Sequence, residues 1–179
     1  LHDALPIWPD VLADGLPNLA AELARAGWET HAFVGNPSCL PCWGFDEGFD
    51  RFVDIDSVRV EADKDTRVVD AVIRTLDVIG SRPWFFYVHT MAPHMPYEPP
   101  APWDARFQDV PPAGQTLSPG QRATVNAYDG EIAYNDAQFG RLLDALKARG
   151  LYDNTLVVFT SDHGEEFWDH GGISHGKTL

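Results

Sequence analysis

Ser161-Asp162-His163-Gly164 is the stretch of this sequence whose residue types and spacing point most directly to chemistry. A carboxylate beside an imidazole, on a tight turn ended by glycine, can face one cation together. The acidic pair Glu165-Glu166 follows at once, and His170, His175 and Lys177 all lie within the next fifteen residues. Taken alone, an Asp-His pair is more often a surface turn in which the aspartate caps the next short helix. A loop that gathers this many histidines and glycines is a poor structural solution and a good chemical one, which shifts the balance toward function. A further histidine, His94, stands among prolines in Ala92-Pro93-His94-Met95-Pro96, where its structural role would be to cap the Pro-rich turn. Cys39 and Cys42 have the spacing of a redox pair or half a zinc site. Two thiols cannot close a structural zinc site alone, so the pair reads as a local disulfide or as two ordinary loop cysteines, with no catalytic role. His170 reads as a loop residue, His89 as a core histidine inside an apolar strand, and Asp136 as a structural hydrogen-bonder on a long helix.

These residues need elements to hold them. Leu12, Leu16, Leu19, Ala20 and Leu23 recur at helical spacing and predict a helix from Pro9 to Ala26, stopped by Gly27. Glu29 to Val34 follows as a short strand, and Ser38 to Phe52 as a loop pinned to the core by Phe45, Phe49 and Phe52. A second helix is predicted from Asp63 to Ile79, with Val68, Val69, Val72, Ile73, Leu76 and Ile79 on one side. The near-continuous apolar run from Pro83 to Thr90 predicts a strand of a parallel sheet covered on both faces. Residues 92–114 read as a loop containing seven prolines. Ser118 and Pro119 are an N-cap and a first-turn proline, opening a helix that runs to about Arg149 and stops at Gly150. Its inward stripe is expected to be Tyr128, Ile132, Asn135, Phe139, Leu142, Leu143 and Leu146. A last strand from Asn154 to Thr160 would deliver Asp162 and His163 to its carboxyl end, where ligands bind in open α/β sheets. The alternation of helix and strand predicts a layered α/β/α fold with a mostly parallel sheet.

Composition excludes several partners. The chain has 179 residues, 44% of them hydrophobic and 12% aromatic, enough to bury a core. A net charge of -14, from 27 acidic against 13 basic residues, argues against nucleic acid, which needs clustered Lys and Arg. No apolar run has the length of a membrane span, and no basic start leads into an apolar stretch as in a signal peptide. The chain does not begin with Met and stops at Leu179 in what reads as the middle of a motif. A fragment open at both ends is therefore expected, with residues 1–7 unassigned and residues 8–179 forming part of a catalytic domain. Its location stays open, and a periplasmic or secreted home is compatible with it.

Four stretches, in order, resemble the sulfatase branch of the alkaline phosphatase superfamily. They are Leu16-Pro-Asn-Leu-Ala-Ala-Glu-Leu-Ala-Arg-Ala-Gly-Trp28 with the later Gly44-Phe45-Asp46, Phe85-Phe-Tyr-Val-His-Thr-Met-Ala-Pro-His-Met-Pro-Tyr-Glu-Pro-Pro100, Tyr128-Asp-Gly-Glu-Ile-Ala-Tyr-Asn-Asp136, and the segment from Asp153 to Lys177. The resemblance covers nearly all the chain after Ile7. It implies that Asp162 and His163 are ligands of a catalytic metal, whose two further acidic ligands lie on a strand upstream of this fragment. It implies that His94 contacts the sulfate group or leaving-group oxygen and that Lys177 contacts the substrate anion. His175 would face the substrate or orient a ligand. An acidic protein would then handle an anion through a cation and a few focused positive groups.

The family's nucleophile is a formylglycine made from Cys or Ser in C-x-P-S-R. Cys39-Leu40-Pro41-Cys42-Trp43 carries Cys and Pro but has Trp43 in place of Arg, and it follows the helix and strand that should come after the nucleophile. The nucleophile is therefore expected upstream. The leading expectation is hydrolysis of a small-molecule or glycan sulfate ester with one divalent cation. Calcium prefers oxygen ligands, whereas the imidazole of His163 suits manganese or zinc. A second expectation keeps the fold and changes the reaction to that of a phosphodiesterase, a phosphonate monoester hydrolase or a phosphoethanolamine transferase. A third is a non-catalytic binding module with the same fold. The aromatics Tyr97, Trp103 and Phe107 of the Pro-rich loop are expected to help wall the pocket.

Overall fold

The computed structural model describes residues 12, 15–55, 64–108 and 116–175. The chain divides into two compact units, residues 1–91 and 92–179.

The first unit is built on a three-stranded parallel sheet. Strand β1 (Glu29–Val34) lies between β2 (Arg51–Asp54) and β3 (Trp84–His89). The register sets His31 opposite Arg51 on one side and Glu29 opposite Trp84 on the other. The central strand has the predicted bounds, and its Ala32 and Phe33 are fully buried. Strand β3 also forms where predicted, but among the described residues it has one neighbour, and it is half-buried, with Tyr87 43% exposed. The parallel pairing is as expected, but the side chains of β3 are only half-covered. Strand β2 begins at the last two residues of the segment read as loop and runs two residues past it. Its two apolar residues between Arg51 and Asp54 are too short a run to show a period; β1 supplies the pairing. The turn into β2 is tied to β1 by Thr30, whose Oγ1 donates to the Gly48 carbonyl at 2.8 Å while the Asp50 N–H donates to Thr30 Oγ1 at 3.0 Å. Gly48 has φ +89°, and a Cβ there would lie 2.3 Å from the Ala21 nitrogen, so glycine is required.

Helix α1 (Leu19–Arg25) is shorter than expected: Asn18 caps it by accepting from the Ala21 N–H at 2.8 Å, and Leu12 and Leu16 lie outside it. Gly15, at φ +76°, breaks the helical run that the leucine spacing suggested. Gly27 ends the helix in the left-handed region as predicted. Helix α2 (Lys64–Leu76) buries Val68, Val69, Val72 and Leu76, while Ile79 lies beyond its end; Asp63 is outside the described residues. Helix α1 and the rings of Phe49, Phe52, Phe85 and Tyr87 line an apolar cavity of about 310 Å³ together with Phe45 and Cys39. Val68 of α2 approaches Gly35, on the opposite face from Val34. The layering is therefore that of an α/β fold with a parallel sheet, as expected.

The second unit is organised by helix α3 (Pro119–Ala148). Ser118 and Gln121 form a reciprocal capping box around Pro119, and Gly150 stops the chain at φ +66°. The inward stripe differs in part from the one predicted, of which Leu146 is buried and Asn135 meets the loop. Val125, Gly130, Glu131, Tyr134, Gln138, Ala145 and Leu146 are buried, whereas Ile132 is 44% exposed. The Pro-rich loop decides this face. Glu131 Oε1 accepts from the Glu98 N–H at 2.7 Å, and Asn135 Nδ2 donates to the Ala92 carbonyl at 2.5 Å. Polar residues on an inward face that hydrogen-bond loop backbone carry no hydrophobic signal.

The strand predicted from Asn154 to Thr160 does not form. Tyr152–Asn154 is a single 3-10 turn, and residues 155–160 pair with no strand among the described residues. Leu156, Val158 and Phe159 are 89%, 77% and 71% exposed. Val157, Val158 and Phe159 are β-branched or aromatic and give the propensity for a strand, but among the described residues there is no neighbour for it to pair with. Beyond Gly164 the chain makes a hairpin instead of an irregular loop: β4 (Glu166–Phe167) pairs antiparallel with β5 (Ile173–Ser174). Cys39 and Cys42 are thiols, not joined in a disulfide.

Candidate functional site

The residues singled out at the end of the chain converge within the second unit. The hairpin is what brings them together. Glu166 lies opposite Ser174 and Phe167 opposite Ile173, and Glu165 and His175 are the residues that flank this pairing. The turn is closed by Gly171 at φ +90° and by Glu166 Oε1, which accepts from the N–H groups of His170 at 3.1 Å and Gly172 at 2.8 Å. Trp168 and Ser174 both hold positive φ, 62° and 77°. Such conformations cost roughly 1 kcal/mol or more in a non-glycine residue and persist where the surroundings fix them.

His175 stands with its ring centroid 4.0 Å from that of His163 and 5.8 Å from that of His94. Three of the predicted site histidines thus share one place. Lys177 lies outside the described residues. His170 is an exposed turn residue, as expected. His89, expected in the core, is half-buried at the end of β3, with Nδ1 3.2 Å from the Tyr87 hydroxyl.

The Asp162–His163 pair has a particular geometry. His163 Nδ1 lies 2.8 Å from the Gly164 carbonyl. A carbonyl only accepts, so Nδ1 carries the proton and Nε2 of the neutral ring is an acceptor. That Nε2 sits 3.5 Å from Asp162 Oδ2. A carboxylate oxygen and an imidazole nitrogen at this distance are held together by positive charge between them, a proton on Nε2 or a cation. Two ligands each about 2.1 Å from one ion lie about 3.0 Å apart in an octahedral site and about 3.4 Å in a tetrahedral one. The pair therefore fits two adjacent positions around one cation. Among the described residues, no group of three or more His, Cys, Asp or Glu side chains forms a metal-holding cluster.

Glu165 is the site residue whose role the sequence did not reveal. Its side chain is only 6% exposed. Oε2 accepts from the Tyr97 hydroxyl at 2.9 Å, and Oε1 and Oε2 lie 3.3 and 3.4 Å from His175 Nδ1. Tyr97, Tyr128 and Phe167 wall this carboxylate, with ring centroids 4.7 to 5.8 Å apart. Burial, the hydrogen bond to Glu165 and its charge, and the nearby Tyr128 and Glu131 push the Tyr97 phenol well above the ordinary tyrosine range. Tyr128 is raised as well, by burial and then by the charges of Glu165 and Asp129. Both hydroxyls stay protonated, and Tyr97 is a fixed donor. The sequence signal was the turn Asp169-His170-Gly171-Gly172, which favours a hairpin and so brings the residues on either side of it together.

The parallel sheet with flanking helices is that of the alkaline-phosphatase-like fold. Solved structures share it. The phosphonate monoester hydrolase of Agrobacterium radiobacter superposes with a TM-score of 0.76 at 21% identity, covering 96% of this chain and 52% of that one. The C-terminal periplasmic domain of EcEptC from Escherichia coli, solved in complex with zinc, gives 0.75 at 22% identity, covering 89% and 47%. The chain belongs to the sulfatase family: the family profile described as Sulfatase matches residues 2–178. Among curated relatives, the uncharacterized sulfatase YdeN of Escherichia coli K12 is 35% identical over 97 residues, 54% of this chain and 15% of that protein. The chain thus spans about half the length of these solved relatives, and its match covers a smaller part of the curated one.

Proposed function

We propose that this chain carries part of the active site of a metal-dependent hydrolase of sulfate esters. In this reading Asp162 and His163 are ligands of a divalent cation, and His94, His175 and Lys177 face a small-molecule or glycan sulfate ester. The observation that carries it is the 3.5 Å separation of Asp162 Oδ2 and His163 Nε2, which sets two potential ligand atoms at the spacing of adjacent positions around one cation. Membership of the sulfatase family supports the choice of sulfate.

When bound, the cation would polarise the ester oxygens and stabilise an ionised nucleophile. The residues of this chain do the rest. Asp162 contributes charge to the ion, and the Gly164 carbonyl holds the His163 ring in the tautomer that ligates. His94 is turned by its contact with the Met95 carbonyl, 2.7 Å from Nδ1, which makes Nδ1 the donor there. Lys177 would balance the negative charge that grows in the transition state. The sequence contains no C-x-P-S-R motif, so the formylglycine nucleophile and two further acidic ligands are assigned to a part of the family's domain that this chain does not span.

A second reading has one observation in its favour. The imidazole of His163 in the ligand pair suits manganese or zinc better than calcium, and a phosphodiester or phosphonate ester hydrolase, or a phosphoethanolamine transferase, would use the same pair. The test uses the full-length protein. Thermal unfolding is followed with calcium, manganese or zinc chloride, and turnover is measured on p-nitrophenyl sulfate and p-nitrophenyl phenylphosphonate. A cation at about a hundredfold its Kd should add about 2.7 kcal/mol of stability, and Asp162→Ala should abolish the gain. An equal gain in the variant would remove Asp162 from the ligand set. Turnover of the phosphonate without the sulfate would select the second reading.

A further inference from the structure

We infer that Glu165 is a positioning residue that fixes the imidazole of His175 within the histidine cluster; the inference rests on the proposed site and deepens it. Glu165 is nearly buried, with a side chain 6% exposed. A carboxylate so placed is costly unless donors reach both oxygens. Two do. The Tyr97 hydroxyl donates to Oε2 at 2.9 Å, and His175 Nδ1 lies between the two oxygens at 3.3 and 3.4 Å.

An ionised carboxylate only accepts, so the proton of the contact sits on His175 Nδ1. Nε2, at the other side of the ring, is then turned away from Glu165. The ring it belongs to stands between His163 and His94, at 4.0 and 5.8 Å between centroids. The arrangement of carboxylate, oriented imidazole and reacting space is the one by which outer residues set the tautomer and direction of a working histidine. Tyr97 is the second anchor. It comes from the Pro-rich loop, whereas Glu165 and His175 flank the hairpin, so the carboxylate joins three segments that each carry a site histidine or its neighbour.

The hairpin geometry supports a positioning role over a merely structural one. Glu165 and His175 flank the last pair of the hairpin, Glu166 and Ser174, and Ser174 is held at φ +77° immediately before the histidine. A structural filler at position 175 would need neither the left-handed residue before it nor a carboxylate aimed at one ring nitrogen.

The direct test is spectroscopic. The 15N-labelled chain is examined by long-range 1H–15N correlation of the histidine rings, at an alkaline pH where the imidazoles are neutral. The expected result is a protonated Nδ1 and an unprotonated Nε2 for His175, with the pattern shifting toward Nε2–H in Glu165→Ala. A wild-type His175 in the Nε2–H form overturns the inference, and so does an unchanged pattern in Glu165→Ala. The wild-type spectrum decides without any variant, so it stands even if Glu165→Ala fails to fold. The kinetic test uses the full-length enzyme and whichever ester it turns over, so that failure on sulfate is not confused with failure of the coupling. Glu165→Ala and His175→Ala should each lower kcat about tenfold, and the double variant should fall no more than about threefold below His175→Ala alone. A hundredfold, multiplicative loss would mean that Glu165 does not act through His175.

Discussion

Gly130 offers a test of how the loop that carries His94 and Tyr97 is held. It lies inside α3, where alanine is ordinarily preferred to glycine by about 1 kcal/mol. A Cβ there would lie 2.8 Å from Pro99 Cγ and 2.8 Å from the Trp103 carbonyl oxygen. Carbon atoms rest at about 3.5–4.0 Å, so the loop would have to withdraw by roughly 0.7 Å or more. One of the two neighbours is backbone, and it cannot yield by changing rotamer. Trp103 is also held locally, since its N–H donates to the Pro100 carbonyl at 2.8 Å. Overpacking of this kind costs about 1–3 kcal/mol. Withdrawal would also stretch the neighbouring bond from the Glu98 N–H to Glu131 Oε1, a charge-assisted contact worth about 1.5–3 kcal/mol. Loss therefore exceeds gain, and Gly130→Ala should destabilise the chain by about 1–3 kcal/mol. Gly140, in the same helix, has nothing within 4 Å of a built Cβ, so Gly140→Ala should instead stabilise by about 0.5–1 kcal/mol. The two variants differ by identical atoms ten residues apart, which cancels the effect on the unfolded chain. Urea midpoints measure the difference, and thermal midpoints should separate by several degrees, at about 2–4 °C per kcal/mol for this size. If Gly130→Ala proved as stable as Gly140→Ala, the loop would not pack on α3 as described.

Two other outcomes follow from single features. Ser118→Ala removes the hydroxyl that accepts from the Gln121 N–H and should cost about 1 kcal/mol, measured by the urea midpoint. Asp129 has its carboxyl raised above the usual range by burial. A carboxyl raised in the folded state binds protons more tightly there than in the unfolded chain, so its stability contribution is full below the unfolded value and is lost as pH rises through the folded one. Asp129→Asn should therefore stabilise the protein at neutral pH and give no advantage near pH 3, about one unit below the ordinary carboxylate pKa. A gain that is the same at both values would exclude burial of the charge as its source.

What could be read from the sequence was what local chemistry dictates. Glu29–Val34 and Ser118-Pro119 were legible because a short buried strand and a capping box each declare themselves within a few residues. The stripe of α3 was legible only in part: Leu146 is buried as its period predicts, but Glu131 is buried against the backbone of the Pro-rich loop, and Ile132 is exposed. Strand β2 and the unpaired run from Leu156 to Phe159 make the same point from opposite sides. Arg51–Asp54 has little intrinsic signal and pairs with β1, whereas Leu156 to Phe159 has a strong signal and no partner among the described residues. Hydrophobic pattern reports that a side chain seeks cover, and pairing is a property of two segments.

The candidate site divides along the same line. Asp162 and His163 are adjacent, so their ability to face one cation was visible as a dipeptide. Glu165 and His175 are ten residues apart, and only the register of a hairpin joins them. A one-residue slip would turn Glu165 and His175 to opposite faces and leave a nearly buried carboxylate with Tyr97 alone. The hairpin register and the site geometry therefore stabilise each other: the Glu165–His175 contact favours the register that makes it. Disturbing the turn at Gly171 and Gly172, where a Cβ on Gly172 would meet Glu166 Oε2 at 2.9 Å, should accordingly change the histidine cluster before it changes the stability of α3.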